Sequence, residues 1–259
     1  MQTVAWPDPA SIPIDSKQRY DTPDGKFIRV TKVLKVLGLS TEALVRWSAG
    51  VEREAVLHAC EKVYAPGFAT GLAFAAAVEA QIGPARQHQK QMAEAANIGT
   101  AIHAAIHNML RAQLELPIFA PADATPGEVQ WAIMAFEDWW KSSGLKAVRM
   151  EQPVWDKELG YAGTIDLIAE HPVNGLGIID FKSSKAIYDD HHLQVAAYLH
   201  AANNFADVRW AEIVRLPKNT NDPKFEVKPL GAMYNRQLNR EQLLDAFRCA
   251  LGAWKLLIA

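Results

Sequence analysis

Cysteine is scarce in this chain, with only Cys60 and Cys249 among 259 residues. Two thiols cannot supply a disulfide framework, a four-cysteine zinc site or a single-chain four-cysteine iron–sulfur cluster. Both sit in apolar, helical-looking surroundings and read as buried free thiols. Long apolar runs are missing too; none approaches the roughly 18 residues of a membrane-spanning helix. Met1 to Ala10 carries Pro7 and Pro9 and lacks the basic-then-apolar order of a secretory leader. The expectation is a cytoplasmic protein with no membrane partner. Nor does charge of one sign dominate: 27 Lys and Arg stand against 29 Asp and Glu, a formal net charge of −2. That balance does not advertise nucleic-acid binding, although a local basic groove fits inside a neutral total. What the chain does have is 49% hydrophobic residues and eight Trp, enough for a substantial buried core.

The first two dozen residues are rich in Pro and Asp and read as an irregular arm. Helical periodicity starts near Thr31 and stops at Gly38, a natural C-cap. Ser40 or Thr41 caps a second helix to about Val63, and Pro66-Gly67 interrupts it. An Ala-rich stretch follows, and then a long helix over about Ala85 to Leu114. After a proline-rich loop, Thr125-Pro126 starts a helix that Gly144 ends. The pattern then becomes extended, with strands over Ala147–Trp155, Tyr161–Glu170 and Gly177–Ser183, and Asn174-Gly175 as a hairpin turn. A helix over about His191–Asn203, strands over Val208–Leu216 and Phe225–Lys228, and a helix over Asn239–Leu257 complete the chain. There is no internal repeat and no Gly-rich phosphate loop. Strict βαβ alternation is absent, which argues against a doubly wound dinucleotide fold.

The informative residues lie in the middle. Asp180 and Lys182 are two apart on a strand and share a face. Asp166 lies on the preceding strand. A two-residue turn at Asn174-Gly175 would set Asp180 opposite Ala169, three positions from Asp166. Bringing the acids together therefore needs a bulge, a longer loop or a bend. Two carboxylates and a lysine on apolar strands are costly to bury unless a cation sits among them, and oxygen donors suit Mg²⁺ or Mn²⁺. Gln194 and Tyr198 are four apart and share a helix face. Upstream, His103 follows Gly99-Thr100 within a helix. His107 completes an H-x-x-x-H pair, but Ala104 occupies the place where a zinc-peptidase motif carries Glu. His191-His192 reads as a polar helix start, and Trp131 and Trp139-Trp140 read as core.

In this order the segments resemble the PD-(D/E)XK nuclease superfamily, in its RecB-like and phage-exonuclease branch. Gly99, Thr100 and His103 match a G-T-x-x-H helix, Gly163 and Asp166 a G-x-x-D strand, Asp180 and Lys182 a D-x-K strand, and Gln194 and Tyr198 a Q-x-x-x-Y helix. Glu151 falls where that branch often has an acid. The resemblance covers about residues 97 to 200. It implies one α/β domain over 1–259: a central mixed β-sheet flanked by helices, a restriction-endonuclease-like core over 97–259, and a helical N-terminal elaboration over 1–96.

The resemblance also implies a metal-dependent DNA exonuclease of phage or prophage recombination, replication or repair. It would use one or two Mg²⁺ or Mn²⁺ ions and no other cofactor, and act on DNA as a homo-oligomer or with a recombination partner protein. Asp166, Asp180 and the Phe181 carbonyl would hold the metal, with His103 as a further ligand. Lys182 would activate water and offset developing charge. Gln194 and Tyr198 would position the strand or the DNA backbone, and Glu151 would contact metal or substrate. Lys185, Arg215, Lys218 and Lys224 are candidate phosphate contacts. An endonuclease of the same fold and a non-cutting DNA-binding subunit are the alternative readings.

Overall fold

A computed structural model describes residues 5–39, 41–64, 70–84, 86–119, 127–218, 224–233 and 235–258. These fall into two compact units, one holding residues up to 38 together with 99 onward, the other residues 39–98.

The larger unit is built on a seven-stranded mixed sheet. In chain order its elements are β1 (Arg19–Thr22), β2 (Gly25–Arg29), α1 (Val30–Leu34), β3 (Lys146–Asp156), β4 (Tyr161–His171), β5 (Gly175–Lys182), β6 (Trp210–Arg215) and β7 (Glu226–Pro229), with further helices described below. β4 is the hub. One edge pairs antiparallel with β3 along nearly its whole length. On the other edge only two of its residues, Tyr161 and Ala162, pair with β2, whereas Leu167–His171 pair with β5. Between these two contacts the sheet forks. β5 continues in parallel with β6, and β6 pairs antiparallel with β7.

The β1–β2 hairpin occupies the segment read from sequence as an irregular arm. Its strands are only four and five residues long, too short for alternation to stand out among Pro and Asp, yet Tyr20 and Thr22 do turn inward on β1. Gly25 takes a positive φ of 132° at the turn, a conformation that glycine tolerates.

α1 and the helix Asp189–Ala202 (here α6) pack on one sheet face, and the helix Arg240–Leu257 (here α7) packs against both. Nine of the 14 residues of α6 are buried, so it is a core helix and not an amphipathic surface one. Ala196, Ala197, Ala201 and Ala202 are fully buried, and their small side chains let the helix lie close to the strands. Tyr161 donates its hydroxyl to the Ala197 carbonyl at 2.9 Å, so the buried phenol does not go unpaired. Asn239 caps α7 in a reciprocal box with Gln242, both bonds 2.9 Å. The opposite sheet face takes α5 (Gly127–Ser143), whose Phe136 and Trp139 rings each pack edge-on at 5.6 Å from Phe181. Trp139 is thus core, as expected. The proposed Thr125-Pro126 cap lies outside the described residues, but Gly144 does end α5 at φ 65°.

The smaller unit holds α2 (Thr41–Tyr64), α3 (Gly71–Ile82) and the start of α4 (Gln87–Gln113). Thr70 caps α3 by accepting from the Ala73 amide at 3.1 Å. Glu52 on α2 accepts from both the His88 amide and its Nδ1, at 3.1 and 2.8 Å. Ser40 and Pro66-Gly67 lie outside the described residues. The thiols depart from expectation: Cys60 is partly buried and Cys249 is exposed, because Cys249 falls on the outer face of α7 while Leu243, Leu244, Phe247, Ala250 and Leu251 fill the inner one. Among the described residues no helix is long and apolar enough to cross a membrane.

Candidate active site

The fork in the sheet opens into a cleft of about 710 Å³. Its floor is set by strand register. The β4–β5 turn has three residues between His171 and Gly175, so Leu167 pairs with Ile179. One step further along, Asp166 stands opposite Asp180. The loop is centred on Val173 and not on Asn174-Gly175, and this displacement supplies the three-residue shift. On the other side of β4, Met150 pairs with Leu167 and Gln152 with Ile165, which puts Glu151 level with Asp166. Three carboxyl-bearing residues thus lie in one row across three strands.

The ladder between β4 and β5 stops at this row, and the Asp166 side chain takes over its role. Asp166 Oδ2 accepts from the Phe181 amide at 2.8 Å. The Lys182 carbonyl accepts from Leu216 on the β6 side at 2.7 Å. Strand alternation then directs the Phe181 carbonyl toward β4 and the cleft.

Asp180 is 2% exposed. Its Oδ2 lies 2.7 Å from Lys182 Nζ, and its Oδ1 accepts from Gln194 Nε2 at 3.3 Å. Gln194 in turn accepts from Lys182 Nζ at 3.2 Å and donates to the Tyr198 hydroxyl at 3.0 Å. The α6 pair therefore acts as a brace for the strand pair. Burial raises the Asp180 pKa and Asp166 adds to the shift, while Lys182 opposes it. Glu151 is pushed up to about 7 by burial and by Asp166. It also holds a left-handed backbone, φ 49°, a strained conformation for a residue other than glycine. Close carboxylates of this kind favour a bound cation.

α4 forms one wall from Gly99 onward. Ile102, Ile106 and Leu110 are buried, which fixes the helix rotation and leaves the neighbouring stripe of His103 and His107 at the cleft. His103 Nδ1 is 3.9 Å from Asp166 Oδ2, and His107 Nε2 is 3.2 Å from Glu151 Oε1. One ligand atom each from His103, His107 and Asp166 lie within 4.8 Å of one another. A side chain at Gly99 would crowd Ser183 Oγ, at 3.0 Å, so the glycine lets this wall meet the end of β5. The donor types fit a divalent ion: His103, His107 and Asp166 bring two imidazoles and a carboxylate together, with the Asp180 carboxylate on the next strand.

The chain belongs to the PD-(D/E)XK nuclease superfamily. The family model for that superfamily matches residues 70–255, and the resemblance drawn from the motifs holds at this level. Members of the PD-(D/E)XK superfamily use divalent metal ions. No curated protein matches the chain. Among solved structures, the crystal structure of SSO0001 is 12% identical with a TM-score of 0.29, over 51% of this chain and 61% of that one. This chain therefore spans about three-fifths of SSO0001. An alkaline exonuclease, LHK-Exo from Laribacter hongkongensis, is 11% identical with a TM-score of 0.32, over 67% of this chain and 80% of that one.

Of the residues in the superfamily motifs, Gly163 alone stays out of the cleft, packed against the Tyr198 ring. Thr100, His103, Glu151, Asp166, Asp180, Phe181, Lys182, Gln194 and Tyr198 all line the cleft. Tyr20, Arg29, His107 and His191 also line it and carried no site assignment from sequence. For Tyr20 the missing signal was long-range: its hydroxyl meets Thr164 Oγ1 at 2.8 Å, and only the fold brings them together. His191 Nδ1 accepts from the Tyr188 amide at 3.2 Å within the start of α6. Burial, with Lys182 and His192 nearby, holds its pKa down to about 3, so it enters the cleft neutral.

The basic residues offered as phosphate contacts do not line the cleft. Arg215 is not a surface charge; it is 7% exposed and pairs with Glu226 at 3.0 Å. β6 places it beside β7, where the register sets the two residues opposite each other.

Proposed function

We propose that this chain is a metal-dependent deoxyribonuclease, and specifically an exonuclease, that hydrolyses phosphodiester bonds in the forked cleft. The observation that carries this reading is the buried Asp180 held 2.7 Å from Lys182 and level with Asp166. In this reading Asp166, Asp180, the Phe181 carbonyl and His103 hold one or two Mg²⁺ or Mn²⁺ ions. When bound, the ion lowers the pKa of water and offsets phosphate charge.

The chain's own groups do the rest. Lys182 would orient the water that attacks phosphorus. It holds that water's oxygen and offsets the negative charge that builds on the phosphate. The new P–O bond forms as the bond to the leaving oxygen breaks; the attacking water gives its proton to solvent, and the leaving oxygen takes one from solvent. Gln194 keeps the Lys182 ammonium beside Asp180, and Tyr198 keeps Gln194 in place. Glu151, level with Asp166 across the β3–β4 pairing, would contact the metal or the substrate. The neutral His191 offers an N–H to a phosphate oxygen.

The test uses linear DNA labelled separately at each end, closed circular DNA in parallel, and Mg²⁺ or Mn²⁺ with a chelator control. Cleavage of linear but not circular DNA, lost in Lys182→Ala and with chelator, is the expected result. Cutting of circles would make the chain an endonuclease. No metal-dependent cleavage of either substrate would overturn the catalytic reading in favour of a DNA-binding subunit.

A further inference from the structure

We propose that His107 is a second imidazole ligand at the cleft's cation site, and that the His103–His107 pair makes this site prefer Mn²⁺ to Mg²⁺. The proposal rests on the nuclease reading above and goes beyond its motif residues, which include only one histidine.

The first argument is placement. His103 and His107 are four apart on α4, so they stand one above the other on the same face. Their rings meet edge-on at 5.9 Å. Ligand atoms of both lie with an Asp166 oxygen inside a 4.8 Å group. Donors held about 2.1 Å from one ion stand up to about 4.2 Å apart, so small side-chain rotations close the set. The helix cannot turn away, because Ile102, Ile106 and Leu110 anchor its inner stripe.

The second argument is what His107 lacks. Its Nε2 is buried and makes no hydrogen bond. Glu151 Oε1 is 3.2 Å away, outside hydrogen-bonding geometry. A buried ring nitrogen without a partner is costly, and a metal ion removes that cost. Glu151 reaches this point from a left-handed backbone inside a strand. Strain of that kind is retained where the surroundings require the side chain's direction.

The third argument is ligand chemistry. Mg²⁺ favours oxygen ligands and gives up water reluctantly. Imidazole suits transition metals, and each imidazole added to a carboxylate site moves its preference toward them. Here two imidazoles accompany the carboxylates.

The experiment measures metal binding and not cleavage. The full chain, stripped of metal, is titrated with Mn²⁺ and with Mg²⁺ by calorimetry. Mn²⁺ is followed in parallel by electron paramagnetic resonance. Wild type, His107→Gln and Asp166→Asn are compared, with thermal melts to confirm folding. Wild type is expected to bind Mn²⁺ more tightly than Mg²⁺, and His107→Gln to weaken Mn²⁺ by roughly 10–100-fold while Mg²⁺ changes far less. Electron spin-echo modulation of wild-type Mn²⁺ is expected to show two coordinated imidazole nitrogens; it decides the matter should His107→Gln fail to fold. Mn²⁺ affinity unchanged in His107→Gln but lost in Asp166→Asn, or a spectrum with one nitrogen, overturns the role of His107 and leaves the nuclease reading standing. No binding of either ion to wild type overturns both.

Discussion

The Tyr198 ring occupies the space that a side chain on Gly163 would need. A Cβ built on Gly163 would fall 2.1 Å from Tyr198 Cε1. The glycine of the G-x-x-D strand and the tyrosine of the Q-x-x-x-Y helix are therefore one packing unit. The same tyrosine braces Gln194, so the motif glycine acts on Asp180 and Lys182 through two side chains.

Gly163→Ala is expected to destabilise the protein by about 1–3 kcal/mol through overpacking, and to lower cleavage as the Gln194 brace shifts. Adding Tyr198→Ala frees the space. The double variant should then be more stable than the sum of the single changes implies. Urea melts of the four proteins measure this, and simple additivity would contradict it.

Tyr198→Phe keeps the ring and removes the hydroxyl that accepts from Gln194 Nε2. A bond of this kind is worth about 1 kcal/mol, or roughly fivefold in rate. The expected result is a several-fold loss in kcat with little change in Tm. Equal losses in Tyr198→Phe and Lys182→Ala would mean that the hydroxyl does more than position Gln194.

Glu151 gives the metal-free protein a pH signature. Its folded pKa lies above its ordinary value of 4.5, near 7. Folding therefore favours the protonated form. That contribution is complete below about pH 4.5 and is lost as pH rises through about 7. Glu151→Gln removes it. With chelator present, the variant's urea midpoint should gain on wild type as pH is raised across this window. A constant difference at all pH values would place the raised pKa elsewhere.

Asp156 provides a contrast remote from the cleft. Burial raises its pKa, but the His200 side chain at 3.0 Å and the Leu159 amide outweigh this, and the net shift is downward. The stabilisation is present above the ordinary value of 3.8 and disappears as pH falls through the lower folded value. Asp156→Asn should cost about 2 kcal/mol at neutral pH through the lost charge-assisted bonds, and almost nothing in strong acid. Nuclease activity per folded molecule should be unchanged, as measured by titrating active protein before and after a melt.

The D-x-K strand and the Q-x-x-x-Y helix were legible because their logic is local. A period of two puts Asp180 and Lys182 on one face, and a spacing of four does the same for Gln194 and Tyr198. The strands from Ala147 onward were legible for the same reason: each is long enough to show its pattern. Register was not, because Asn174-Gly175 looks like a two-residue turn while the observed loop starts after His171. The β1–β2 hairpin was missed since four residues of alternation do not rise above a Pro- and Asp-rich background. Nothing local marks His107, because the H-x-x-x-H spacing lacks the Glu of a zinc-peptidase helix. Its relation to Asp166 and Glu151 exists only in three dimensions. Arg215 looked like a surface cation because nothing local announces that Glu226 will lie opposite.

The fork has a consequence for the order in which the molecule assembles. β3, β4 and β5 pair with their immediate chain neighbours, so those hairpins close early and at small entropic cost. The far side of the cleft depends on residue 28 finding residue 161, and two ladder pairs with the Tyr20–Thr164 hydrogen bond join the strands there. Contacts between such distant parts of a chain form slowly. A refolding chain will thus have its acidic row before it has the opposite wall, and its competence to cut will lag behind the recovery of its secondary structure.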